Sequence, residues 1–215
     1  MKIYEYIDVF TYISPVVLSI GVILGLYNYK KLDKTNKLLF IYLLISLLID
    51  FTARYLGYVK ANNLILWPLL SILELLIFSK IYQQYSKKKK LINFLFGIGA
   101  LYIIIEIIYV DTYNITEYQS YSKVISSVFI VFMVLIYIFD RINEELKSIK
   151  SNLYLGIAIL IYFSLNVVLL LPMNFLINEG SNLTLYIWLV YLIMTIMFYS
   201  FLNYLIWKSG RNQRQ

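Results

Sequence analysis

Apolar residues in this chain neither alternate nor keep to one helix face. They run on in stretches long enough to cross a lipid bilayer, for which a helix needs about 20 mostly apolar residues. Three stretches carry no charge: Val9 to Tyr29, Ser151 to Asn178 and Gly180 to Trp207. Four more carry isolated polar interruptions. Leu38 to Tyr58 contains Asp50 and Arg54, Asn63 to Tyr82 contains Glu74 and Lys80, and Leu91 to Val110 contains Glu106. Val124 to Phe139 is shorter, with Lys123 at its edge. A lysine there can snorkel its ammonium to the interface. The pattern predicts an all-α, polytopic transmembrane helical bundle of seven spans, at about 9–29, 38–58, 63–82, 91–110, 121–140, 153–176 and 183–207. They form a single transmembrane domain over residues 1–215.

Charge between the spans predicts their direction. Lys30, Lys31, Lys34 and Lys37 follow span one, Lys87 to Lys90 follow span three, Arg141, Lys147 and Lys150 follow span five, and Lys208, Arg211 and Arg214 follow span seven. The alternate connections hold only Lys2, Lys60 and Lys123. Basic residues collect on the cytoplasmic side, so the N-terminus is expected outside and the C-terminus in the cytoplasm. Tyr4, Tyr6, Tyr27, Tyr29, Tyr55, Tyr58, Trp67, Tyr82, Tyr109, Tyr113, Tyr186, Tyr204 and Trp207 fall near the span ends, where amphipathic rings form a belt. Glu5 and Asp8 precede the first span and its basic cluster follows it. That order is the reverse of a cleavable signal peptide, so the span is expected to stay. Asn63-Leu64-Ile65-Leu66-Trp67 and Asn182-Leu183-Thr184-Leu185-Tyr186 echo one another, which would permit parallel three-helix repeats around a central span.

Composition agrees with an apolar solvent. Hydrophobic residues make up 61% of the chain and charged ones 14%, against about 45–50% and about 25% in soluble domains. The mean hydropathy is +0.74. The net charge of +7 sits in short loops, so no nucleic-acid partner is expected. The abundance of Ile, Asn, Lys and Tyr suggests an AT-rich bacterial genome, hence the bacterial inner membrane.

The chain has no cysteine and no histidine. Disulfides and Cys/His zinc sites are therefore excluded. So are membrane enzymes that need histidine, namely zinc-dependent seven-span hydrolases, rhomboid-type serine proteases, H-E-x-x-H metalloproteases and R-x4-H ribonucleases. Gly97-Ile98-Gly99-Ala100 resembles the G-x-G-D of intramembrane aspartyl proteases, but Ala100 stands where the Asp is needed, and a close helix contact is expected instead. No lysine lies within span seven to hold retinal. Asn114-Ile115-Thr116 and Asn182-Leu183-Thr184 match glycosylation acceptors, read as coincidental in a bacterial protein. No catalytic residue, metal site or cofactor is expected.

The candidate functional residues are the intramembrane charges. A charge at the bilayer centre costs about 2.5–3.5 kcal/mol on insertion scales, so it turns toward the bundle interior. Asp50 and Arg54 share a helix face at i,i+4 spacing. Glu106 falls at a depth similar to Arg54, which predicts a polar cluster of Asp50, Arg54 and Glu106, binding or structural in role. Glu74 falls near mid-membrane, with no basic residue assigned to its level. Asn166, Asn174 and Asn203 are expected to join helices by hydrogen bonds.

The basic loop after span one, Asn62-Asn63-Leu64 leading into the helix with Glu74, and Tyr162-Phe163-Ser164 within span six carry a likeness. The chain resembles a group of uncharacterised small seven-span membrane proteins common in Bacteroidota. That resemblance implies fold and membrane location, not activity. Short loops favour a non-enzymatic sensor or accessory protein, with membrane lipids and a protein partner or a second copy of the chain as its contacts. The alternative is a small-solute or ion transporter or pore that uses intramembrane carboxylates. The size also matches membrane components of bacterial antiviral systems, to which no residue ties it.

Overall fold

The computed structural model describes residues 3–109, 121–142, 150–178 and 182–212. Lys2, Val110, Tyr113, the Asn114-Ile115-Thr116 acceptor, Lys147, Gly180 and Arg214 lie outside the described residues. Among the described residues the secondary structure is helical: α1 (Ile3–Asn28), a 3-10 turn (Tyr29–Lys31), α2 (Lys34–Tyr58), α3 (Leu66–Tyr85), α4 (Lys89–Tyr109), α5 (Tyr121–Ile142), α6 (Lys150–Asn178) and α7 (Leu183–Asn212). All seven α-helices are long and apolar enough to cross a membrane. The chain thus has the make-up of a multi-pass membrane protein.

Most helices run past the apolar stretches that announced them, because backbone hydrogen bonding continues until a capping group or a turn interrupts it. The Asp33 carboxylate accepts the Asn36 amide at 2.7 Å and so caps the start of α2. At the end of α2, Lys60 N–H donates to Gly57 O and Ala61 N–H to Leu56 O. This paired closure requires a left-handed residue, and Lys60 takes that place at φ 55°, where glycine would be unstrained. The Asn62 side chain then accepts the Leu64 amide, forming a turn that delays α3 until Leu66. Pro68 in the first turn of α3 costs nothing, since that N–H has no intrahelical acceptor.

The chain divides into two compact units, residues 1–66 with 179–215, and residues 67–178. In the first, α1 lies close along α7 and both contact α2. Close approach is allowed by glycine. A Cβ at Gly21 would overlap Asn203 and Leu43, one at Gly25 would overlap the Phe40 ring, and one at Gly210 would overlap Asn28. Asn203 Nδ2 donates to the Val17 carbonyl at 2.7 Å, the interhelical bond expected of this asparagine. The Tyr42 ring is enclosed against Phe198 and Tyr199.

In the second unit, α5 packs along α6 and against α4. Helix α3 joins it through large side chains. Phe78 meets Phe163 of α6 at 5.0 Å between ring centroids, and Tyr82 meets Tyr137 of α5 at 5.5 Å. Of the two glycines expected to pack closely, Gly99 does, against Leu75 and Phe129. Gly97, two residues away and so on a different face, has open space where a Cβ would stand.

Candidate functional site

Among the described residues, the most buried charges come together in the second unit. Helix α5 turns one face inward, made by Ser122, Lys123, Ser126, Ser127, Ile130, Met133, Val134 and Tyr137, all buried. Their spacing of three and four residues is that of a single helical stripe. Phe132, Leu135 and Phe139 lie exposed on the same helix. Lys123 therefore starts from the inward stripe, and its Nζ donates to Glu74 Oε2 of α3. Side-chain exposure is 1% for Lys123 and 0% for Glu74.

This corrects the expectation that Lys123 snorkels to the interface and that Glu74 has no cation at its level. Snorkelling needs a side chain on the lipid face. An inward lysine has no such route, and pairing with a carboxylate offsets its burial. The signal was present in the sequence as serines at i+3 and i+4 from Lys123. Both return to that same turn: Ser126 Oγ and Ser127 Oγ donate to the Lys123 carbonyl at 3.0 and 2.7 Å. On α3, Ser71 Oγ likewise donates to the Trp67 carbonyl at 2.8 Å. Hydroxyls satisfied within their own helix let polar residues sit in a dry interior.

Glu106 of α4 serves the beginning of α5. Its Oε1 accepts the Ser122 amide at 3.2 Å. That amide lies in the first helical turn, where N–H groups lack intrahelical acceptors and a negative charge is favoured. At the other end of α5, Asp140 Oδ2 accepts from Ser86 Oγ at 2.5 Å, and Lys88 Nζ lies 3.9 Å from Oδ1. The turn between α3 and α4 is thereby tied to the end of α5. Asn166 is buried in this unit without a hydrogen-bond partner for its Nδ2, so that atom does not make the interhelical bond expected of it. Asn174 is also buried.

The first unit holds the Asp50–Arg54 part of the expected cluster. Arg54 Nε lies 2.7 Å from Asp50 Oδ2, with Nη2 3.3 Å from Oδ1. A further partner was not anticipated: Arg54 Nη2 donates to the Thr11 carbonyl at 2.6 Å. The cause is Pro15, inside α1. Proline has no N–H, so the carbonyl four residues earlier loses its helical donor. In α1 that carbonyl belongs to Thr11. Arg54 supplies the missing hydrogen bond, and the Tyr12 ring lies beside its guanidinium, 5.8 Å from the centroid.

Chemically, the Glu74–Lys123 pair cancels its own charge inside the protein, while Arg54 and Glu106 each satisfy a helix backbone group. Among the described residues no three acidic side chains gather as a metal site would require. Comparison with protein-family models, curated proteins and solved structures finds no match to this chain.

Proposed function

We propose that the protein is a non-enzymatic accessory or sensor protein of the bacterial inner membrane, acting through a membrane partner or lipid. Its N-terminus is outside and its C-terminus cytoplasmic, as the basic connections favour. The observation that carries the functional reading is the enclosure of Glu74 with Lys123, at 0% and 1% exposure. A conduit or a catalytic centre needs its acid or base in reach of water or substrate. Here acid and base occupy one another, both shut away from the surface of the second unit.

The same pair favours a second reading, ion transport, because ionisable residues at membrane depth often mark ion pathways. Purified protein in proteoliposomes with a trapped pH-sensitive dye separates the two. Under an imposed proton or potassium gradient, the accessory reading expects the dissipation rate of empty vesicles. Gradient-driven flux that disappears in Glu74→Gln would replace it by transport.

A further inference from the structure

We infer that one end of the first unit, where α1 and α7 finish together, is a docking surface for anionic phospholipid headgroups. Asn28, the last residue of α1, lies against Gly210 near the end of α7. That contact gathers onto one surface the cations of the 3-10 turn, the first turn of α2 and the last turns of α7. They are Lys30, Lys31, Lys34, Lys37, Lys208 and Arg211. Asp33 is the carboxylate among them, and its Oδ1 is engaged by the backbone and side-chain nitrogens of Asn36 at 2.7 and 2.9 Å. It caps α2 and is oriented for that task.

Aromatic rings share this surface. Tyr27, Tyr29, Tyr204 and Trp207 are 73%, 45%, 49% and 43% exposed. Lys37 Nζ stands 5.3 Å from the centre of the Tyr29 ring, Lys208 Nζ 5.9 Å from Tyr204, and Arg211 Cζ 5.5 Å from Trp207. Rings with cations beside them match the two layers of a lipid interface. The ring sits at the boundary between acyl chains and headgroups, and the cation reaches the phosphate. Clusters of about four to eight basic residues beside a transmembrane helix are the composition that selects anionic lipid. A soluble phosphate could meet the cations but would leave the rings bare. The occupant is therefore a lipid with a net negative headgroup.

The inference rests on the proposed membrane residence, with this end at the cytoplasmic leaflet. It does not depend on whether the protein transports ions. The test measures thermal stability of the purified full chain in detergent with added phosphatidylglycerol, phosphatidylcholine or inorganic phosphate. The wild type should gain several degrees with phosphatidylglycerol beyond the gain with phosphatidylcholine, and nothing with phosphate. Lys30→Gln, Lys34→Gln, Lys208→Gln and Arg211→Gln combined should lose most of that extra gain while matching the wild type in phosphatidylcholine. The pairs Lys30→Gln/Lys34→Gln and Lys208→Gln/Arg211→Gln should each lose part of it, and they give the reading if the fourfold variant fails to fold. A charge-matched variant with Lys87 to Lys90 changed to Gln should keep at least half. Equal losses in the two fourfold variants would mean bulk charge rather than a site, and would overturn the inference. So would equal gains from the two lipids, or a phosphate effect as large as that of phosphatidylglycerol. Flux in the proteoliposome assay with the lipid result intact would overturn the accessory reading alone.

Discussion

Replacing Arg54 by leucine removes two interactions of different worth. The first is the 2.6 Å bond to the Thr11 carbonyl. With Pro15 unable to donate, that carbonyl would be left without its helical partner, at a cost of about 1–3 kcal/mol. The second is the ion pair with Asp50. Its two side chains are 31% and 25% exposed, so solvent screens it, and its loss costs about 1 kcal/mol or less. Arg54→Leu should therefore destabilise by about 1–4 kcal/mol. Pro15→Ala restores an N–H four residues after Thr11. In that background the first cost should largely vanish, leaving a coupling of about 1–2 kcal/mol between positions 15 and 54. Reversible unfolding in mixed micelles, run on the wild type, both single variants and the double variant, reads this directly. If Arg54→Leu costs the same with and without Pro15, the guanidinium is not compensating the proline and the argument fails.

Three further outcomes follow from the packing and the charges. Lys123→Met alone should cost about 3–5 kcal/mol by removing the cation paired with the buried Glu74 carboxylate, whereas Lys123→Met with Glu74→Leu should recover most of that, measured by the same unfolding assay; additive losses would deny the pairing. Gly21→Ala should destabilise by about 1–3 kcal/mol, because its Cβ meets an asparagine already bonded to α1, while Gly97→Ala should be neutral or gain up to about 1 kcal/mol from helix propensity. Reporter fusions after Lys90 and after Arg214 should report cytoplasm and one at Asn178 the outside; reversal at any of these breaks the proposed orientation.

The seven helices were legible because a membrane span is announced by a run of residues, and a run survives one or two interruptions. Their ends were less legible, since hydropathy marks the bilayer while capping marks the helix. Span three was expected from residue 63, but the Asn62 turn holds the helix back to Leu66. Asp50 and Arg54 could be paired from sequence because they lie one turn apart on one helix. The Thr11–Arg54 bond spans 43 residues and two helices, so no local rule reveals it. Lys123 was misplaced by its position at the edge of an apolar run. Counting the serines beside it along the helical stripe would have turned it inward, toward a carboxylate. Glu106 was assigned partners by depth alone, whereas the structure gives it the first-turn amide of Ser122. Depth is read along the chain, but which way a side chain faces depends on the neighbouring helices.

The enclosure of Glu74 and Lys123 is the claim on which the functional reading stands, and access of water tests it most directly. The chain contains no cysteine, so a single reporter thiol needs no prior substitutions. Ser126→Cys places one on the inward stripe beside Lys123, at a position with 0% exposure, and changes little in size. A membrane-impermeant, positively charged methanethiosulfonate is applied from either side of sealed vesicles, with Lys87→Cys as the accessible control. The thiol at position 126 should stay unmodified from both sides and react fully once the protein is unfolded. Modification of the folded protein from either aqueous face would show a water path to the pair and contradict the closed, accessory reading.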